Sequence, residues 1–328
     1  MNLYRVKESI AEYYSHHKRS IIFFIYLVWA CILGAILWAG WRSRDQLLPY
    51  ISSANWARLP LVVVFYFLAL ILATANWAAI MHSFNRTLSW WTHVKIYLVT
   101  LVTRRLPGSV WYIGGRMMLY KKLGVSQIQT ASASGVELIV SFAADCFLGG
   151  ILLPLGFKLP LYWLIPLALV SLTSLIILNP SVLALAMQKF NRPLAHPIEG
   201  WRVAVWFLIR IALILAGGSM IFQTVRIFYP INSSLLLMVL GARALSGAAG
   251  MLTMFLPSSF GASDITLLSL LSTTIPTSLS TVITILVRMY TTLFEVVFGL
   301  IFYIILKNSP EFMNILLLEK ERDTVSHT

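Results

Sequence analysis

Long apolar runs constrain this chain more than any other feature: they cover 21–41, 59–81, 131–155, 159–178, 203–228, 235–256 and 281–306. At about 1.5 Å rise per residue, some 20 helical residues match a hydrocarbon layer roughly 30 Å thick. Within that layer the backbone finds no water, so each run must satisfy its own N–H and C=O groups, as a helix does. Composition agrees. The chain is 59% hydrophobic and 11% charged, with a mean hydropathy of +0.81, whereas soluble domains carry about 25% charged residues. The expected class is an all-α polytopic integral membrane protein.

The formal net charge of +13 does not point to nucleic acid. Lys and Arg sit at the ends of the apolar runs or inside them rather than on one soluble face or tail, which fits topology signals and attraction to anionic headgroups. Residues 1–20 carry Arg5, Lys7, Lys18 and Arg19, so the N-terminus is expected on the cytoplasmic side, most simply of a bacterial cytoplasmic (inner) membrane. No cleavable signal peptide is expected. One tension remains. The connector 42–58 holds Arg42, Arg44 and Arg58 on the side expected to be external, against the positive-inside rule.

Two segments break the pattern. In 104–116 the chain reads Arg104-Arg105-Leu106-Pro107-Gly108-Ser109-Val110-Trp111-Tyr112-Ile113-Gly114-Gly115-Arg116, and a second Leu-Pro pair opens 256–264, with Pro257, Gly261 and Asp264. The apolar pieces beside them, 95–102 and 265–271, are too short to cross. Interrupted helices near 95–124 and 256–275, one in each half, are the sequence sign of a paired-half transporter architecture. Irregular backbone is tolerated at membrane depth only where protein buries it or it lines a wet cavity. The expected organisation is a lead-in (1–20), one transmembrane region (21–306) of seven to eight helices plus the two interrupted or re-entrant segments, and a polar tail (307–328).

Glu137, Asp145, Arg210, Arg243, Asp264, Arg288 and Glu295 lie within runs or at their mouths. A charge near a helix centre costs about 2.5–3.5 kcal/mol on insertion scales, so these groups must pair or face water. Glu137 and Asp145 share a helix face with Ser141 between them. Arg288 and Glu295 are two turns apart, so each is expected to meet a partner on another helix. Interhelical latches and cavity lining are both open readings. The cluster Arg104, Arg105, Arg116, Lys121 and Lys122 reads either as a headgroup-level anchor or as a phosphate-binding mouth, since the guanidinium fork matches phosphate oxygens. Backbone N–H groups at a helix start after Gly114-Gly115 would add donors.

Catalytic signals are weak. The histidines fall in expected loops or tails without metal spacing, and Cys31 and Cys146 lie singly inside apolar runs. There is no P-loop and no dinucleotide fingerprint. No enzyme activity, cofactor or metal is expected. A membrane enzyme using Glu137, Asp145 and Asp264 on a metal lacks any ligand spacing.

The order Pro107-Gly108, Arg116, Leu119, Gly124-Val125-Ser126 and Glu137, followed by Pro257, Gly261, Asp264 and Arg288, resembles the flippase-like transmembrane region of bacterial lysylphosphatidylglycerol synthases and its stand-alone relatives. The likeness runs from the second apolar run to Arg288. Two departures stand out. The Glu137 helix lacks the Arg that often follows that Glu, and Asp264 stands where Glu is commoner. No aminoacyl-transfer domain accompanies it, so lipid lysylation is not implied. The resemblance implies movement of an anionic phospholipid or a polyprenyl-phosphate-linked lipid between leaflets. The headgroup would meet Arg104, Arg105, Pro107, Gly108, Arg116, Glu137, Pro257, Gly261, Asp264 and Arg288. The alternative is a non-transporting partner or scaffold of a glycosyltransferase or lipid-synthesis enzyme.

Overall fold

The structure, a computed structural model, describes residues 44–105, 111–157, 161–182, 199–254 and 261–308. The first apolar run, Pro107, Gly108, Pro257, the lead-in and the tail beyond Asn308 lie outside the described residues. The chain forms two compact units, Met1–Pro49 and Tyr50–Thr328. Helix α1 (Arg44–Ser52) crosses their boundary, and every later element belongs to the second unit.

Among the described residues the regular elements are all helices, joined by short turns, without strands. After a 3-10 turn at Trp56–Arg58 come α2 (Leu59–Phe84), α3 (Trp90–Thr100), a 3-10 turn at Val102–Arg105, α4 (Trp111–Lys122), α5 (Gln127–Phe157) and α6 (Leu161–Ile177). Then follow α7 (Gly200–Phe228), α8 (Leu236–Leu252), α9 (Ala262–Leu271) and α10 (Thr277–Lys307). Five stretches are long and apolar enough to cross a membrane: Trp56–Phe84, Gln127–Phe157, Gly200–Phe228, Ser233–Leu252 and Thr277–Lys307. The protein is membrane-embedded. Its outer faces agree: Val64, Leu68 and Ile71 of α2 and Leu293, Leu300 and Ile304 of α10 are exposed. Such an apolar exterior suits lipid, whereas the interior gathers small and polar groups.

Local signals set the boundaries. Pro60 occupies the first turn of α2, where its missing N–H costs nothing. Ser89 caps α3 by accepting from the Thr92 N–H at 3.2 Å. Gly261, at φ +126°, adopts a backbone that side-chain-bearing residues avoid, and α9 starts directly after it.

Antiparallel α2 and α7 form the spine, with Trp56 edge-on to Phe228 at one end and Arg202 Nη1 donating to the Ser83 hydroxyl at 3.3 Å at the other. Each end carries its own apolar core. Near Trp77, residues of α2, α3, α4, α5 and α7 close around Ile80, Ile96, Tyr120, Val136 and Trp206. Near Phe228, α2, α7, α8, α9 and α10 close around Val62, Ile221, Met238, Leu271 and Leu279. Thus α3–α4 packs into one end of the spine and α8–α9 into the other. Each pair is antiparallel. His93 meets Tyr120 while Thr100 meets Arg116, and the Ser246 hydroxyl donates to the Ser263 carbonyl at 2.7 Å.

Three expectations are revised. Helix α4 begins at Trp111 and runs through Gly114 and Gly115, so those glycines do not open a helix. At Gly115 a Cβ would sit 3.4 Å from the Thr103 hydroxyl, and its absence lets α3 and α4 approach. His82 and His93 lie in helices rather than loops, and His93 is fully buried. The run 235–256 ends as a helix at Leu252.

Candidate functional site

Between the two apolar cores lies a cavity of about 340 Å³. Its wall brings together residues from α2, α3, α4, α5, α7, α8, α9 and α10. Arg116, Arg210, Arg243 and Arg288 line it, as do Glu137, Asp264 and Glu295, with Ser141, Ser246 and Ser263 between them. Asp145 stands behind the wall, completely buried. Four arginines therefore face three carboxylates in one chamber, with Asp145 as a fourth behind its wall, the arrangement that lets intramembrane charges persist.

Arg116 is held most tightly. Its Nη1 donates to Glu137 Oε2 at 2.5 Å and its Nε to the Thr100 hydroxyl at 3.4 Å. The guanidinium carbon lies 3.8 Å from the Trp77 ring centroid, 4.7 Å from Tyr97 and 4.8 Å from Tyr112. Each such cation–π contact adds about 0.5–2 kcal/mol, more where water is excluded. Only 3% of Arg116 is exposed. It reaches the chamber as a locked group, not as a mobile hook.

Arg210 Nη2 donates to Asp145 Oδ2 at 3.4 Å. Asp145 is pressed between α7 and α8, because a Cβ at Gly247 would stand 2.6 Å from Asp145 Oδ2. Arg288 Nη1 faces Asp264 Oδ2 at 3.7 Å, with both side chains about a third exposed, at 32% and 33%. That pair is the loosest of the three. The expectation that Arg288 finds a partner on another helix holds, since Asp264 lies in the first turn of α9.

Of the residues singled out in the sequence, Arg116, Glu137, Asp264 and Arg288 converge on the chamber. Gly261 starts the helix that carries Asp264. The backbone of Arg104 and Arg105 closes the 3-10 turn after α3, and their side chains lie outside the described set, as do Pro107, Gly108 and Pro257. Arg210, Arg243 and Glu295 also line the cavity. Their signal was the same, a charge inside an apolar run. The aromatic box around Arg116 had none, because Trp77 and Tyr97 look like ordinary core residues in sequence. Among the described residues no three His, Cys, Asp or Glu side chains gather as a metal set.

The fold and site define a helical membrane protein with an ion-paired internal chamber. No protein-family model matches the chain, and no curated protein does.

Proposed function

We propose that this protein is a flippase-like lipid transporter that moves an anionic phospholipid or a polyprenyl-phosphate-linked lipid between leaflets. The observation that carries this reading is the polar chamber lined by Arg116, Arg210, Arg243 and Arg288 within an apolar bundle. The headgroup occupies the chamber while its tails stay in the bilayer. In this reading the interrupted segments near 95–124 and 256–275, which hold α3–α4 and α9, are re-entrant, within a bundle of seven to eight spans that includes α8, in a bacterial inner membrane with a cytoplasmic N-terminus. The motif resemblance to the flippase-like region of lysylphosphatidylglycerol synthases supports the same reading.

The chemistry follows from the pairs. A phosphate loses its hydration in a low-dielectric interior and must regain charge-assisted hydrogen bonds. Arg288 is the natural donor, since its link to Asp264 is long and partly wet. The phosphate takes the place of Asp264 beside Arg288, and the carboxylate turns to water. Arg116 stays paired with Glu137 and holds the neighbouring wall in place.

Leaflet-resolved lipid transfer in proteoliposomes tests this. Arg288→Ala is expected to slow transfer at least tenfold. Transfer at the wild-type rate by both Arg288→Ala and Arg116→Ala removes the mechanism. A second reading, a non-transporting membrane scaffold for a glycosyltransferase or lipid-synthesis enzyme, is favoured by one observation: Arg116, Arg210 and Arg288 each already have a carboxylate partner. It predicts a stably co-purifying enzyme and no lipid movement by the isolated protein.

A further inference from the structure

A second recess, separate from the chamber, opens at the end of the spine where α2 begins and α7 finishes. It encloses about 640 Å³ and is lined by Ser53, Asn55, Arg58, Arg226 and the turn 227–232. Two arginines meet there although 168 residues separate them in sequence. Local structure brings them together. The Asn55 N–H donates to the Ile227 carbonyl at 2.8 Å, tying the chain before α2 to the end of α7. Arg58 Nη1 then donates to Gln223 Oε1 at 3.2 Å. Gln223 and Arg226 are three apart on α7, so they share a face, and both guanidinium groups are drawn to the same wall.

The electrostatics differ from those of the chamber. In the chamber arginines meet carboxylates, whereas among the described residues no Asp or Glu lines the recess. Among the described residues neither Arg58 nor Arg226 forms an ion pair. Arg58 binds the neutral Gln223, and Arg226 lies 5.5 Å from the Phe222 ring. Both are partly buried, so their positive charge is held at a fixed place rather than spread on flexible stems. The rim carries Trp56, 53% exposed and edge-on to Phe228 at 5.7 Å. An exposed Trp beside arginines at the end of two spans belongs at headgroup depth. On the topology expected from the sequence, with the N-terminus cytoplasmic, Arg58 falls on the side that the positive-inside rule disfavours, and a bound anion is a physical reason for keeping it there.

We infer that the recess formed by Arg58 and Arg226 is an anion site that binds a phosphate group, either of a lipid headgroup or of a free phosphate. Two guanidinium forks supply charge-assisted donors, and Asn55 and Asn232 add neutral ones at the rim. The site is distinct from the chamber, and its occupancy does not depend on whether the protein transports lipid.

The test uses the purified full chain in lipid nanodiscs with a photoreactive phosphatidylglycerol, and maps crosslinks by mass spectrometry. Crosslinks are expected on 53–58 and 223–232. They should fall at least tenfold in Arg58→Gln/Arg226→Gln and persist in Arg288→Gln, which alters only the chamber. A photoreactive phosphatidylcholine should label these peptides weakly and equally in all three proteins. Loss of labelling when inorganic phosphate is added assigns the site to free phosphate, and resistance to it assigns the site to lipid. The single variant Arg226→Gln, checked by an unchanged melting temperature, guards against misfolding and should lose labelling in part. Equal labelling of wild type and a folded double variant, or loss in Arg288→Gln alone, overturns the inference.

Discussion

Arg116 illustrates how one residue can be both a charge and a piece of core. Its guanidinium is enclosed by Trp77, Tyr97 and Tyr112 and neutralised by Glu137. Removing one partner of a buried pair leaves an uncompensated charge and costs about 3–5 kcal/mol. Glu137→Ala should therefore lower the melting temperature of the solubilised protein far more than the double variant Arg116→Met/Glu137→Met, which removes both charges together. A similar loss in both would mean the pair contributes only volume. His93 behaves in the opposite sense, as a base buried neutral. Tyr120 accepts from Trp77 Nε1 at 3.1 Å, which leaves its own proton for His93 Nδ1 at 2.8 Å. Burial, reinforced by His82 nearby, lowers the His93 pKa from 6.5 to about 4, against a smaller upward pull from the Asn85 backbone. The unfolded chain binds this proton below pH 6.5 and the folded chain does not until about pH 4. Stability from this group is thus fully present above pH 6.5 and falls as pH drops through that window, by up to about 1.4 kcal/mol per pH unit. Acid unfolding between these limits should be less steep in His93→Asn, whose side-chain oxygen still accepts from Tyr120.

At the scale of elements, hydropathy made most helices legible: 59–81, 131–155, 203–228 and 281–306 all correspond to described helices that extend a few residues further. What hydropathy could not reveal was where helices stop inside the bundle, because α8 ends at Leu252 within a run that stays apolar as far as Leu256. Nor did it reveal why residue 115 is a glycine, since the reason is the Thr100 and Thr103 side chains packed against it. The same logic governs the seam between α5 and α8. These helices run antiparallel, with Gly156 against Met238 and Gly241 against Leu153. A Cβ at Gly156 would lie 2.6 Å from the Met238 backbone, and one at Gly241 would lie 2.9 Å from the Leu153 backbone nitrogen. Neither neighbour can swing away as a side-chain tip does. Small residues supply close helix contact in lipid, where apolar burial gives little drive. Gly241→Ala should cost about 1–3 kcal/mol, as overpacking does, while Gly114→Ala, with nothing within 4 Å of its Cβ, should be neutral or stabilising. Thermal unfolding of the two variants in one detergent compares them directly.

At the largest scale, the unit from Tyr50 onward has an apolar core at each end of the α2–α7 spine and a charged chamber between them. The charges were legible in sequence because each stands out in an apolar run. Their pairing was not, because it depends on how α4 and α7 meet α5 and how α10 meets α9. That pairing is also where transport and scaffolding part. If the ion pairs serve only to hold helices together, their polarity is immaterial and a swapped pair should serve as well. If an anionic headgroup enters the chamber, polarity matters, because the positive member must stand where the phosphate arrives. The Arg288–Asp264 pair is the one to reverse, since it is partly exposed and its 3.7 Å separation leaves room for altered side-chain lengths. Arg288→Asp combined with Asp264→Arg should recover most of the thermal stability lost in Arg288→Asp alone. Lipid transfer in proteoliposomes should nevertheless stay at least tenfold below wild type, because the guanidinium now projects from α9 instead of α10. Recovery of transfer together with stability would make the pair a latch. Recovery of stability without transfer identifies Arg288 as a group whose position the headgroup reads.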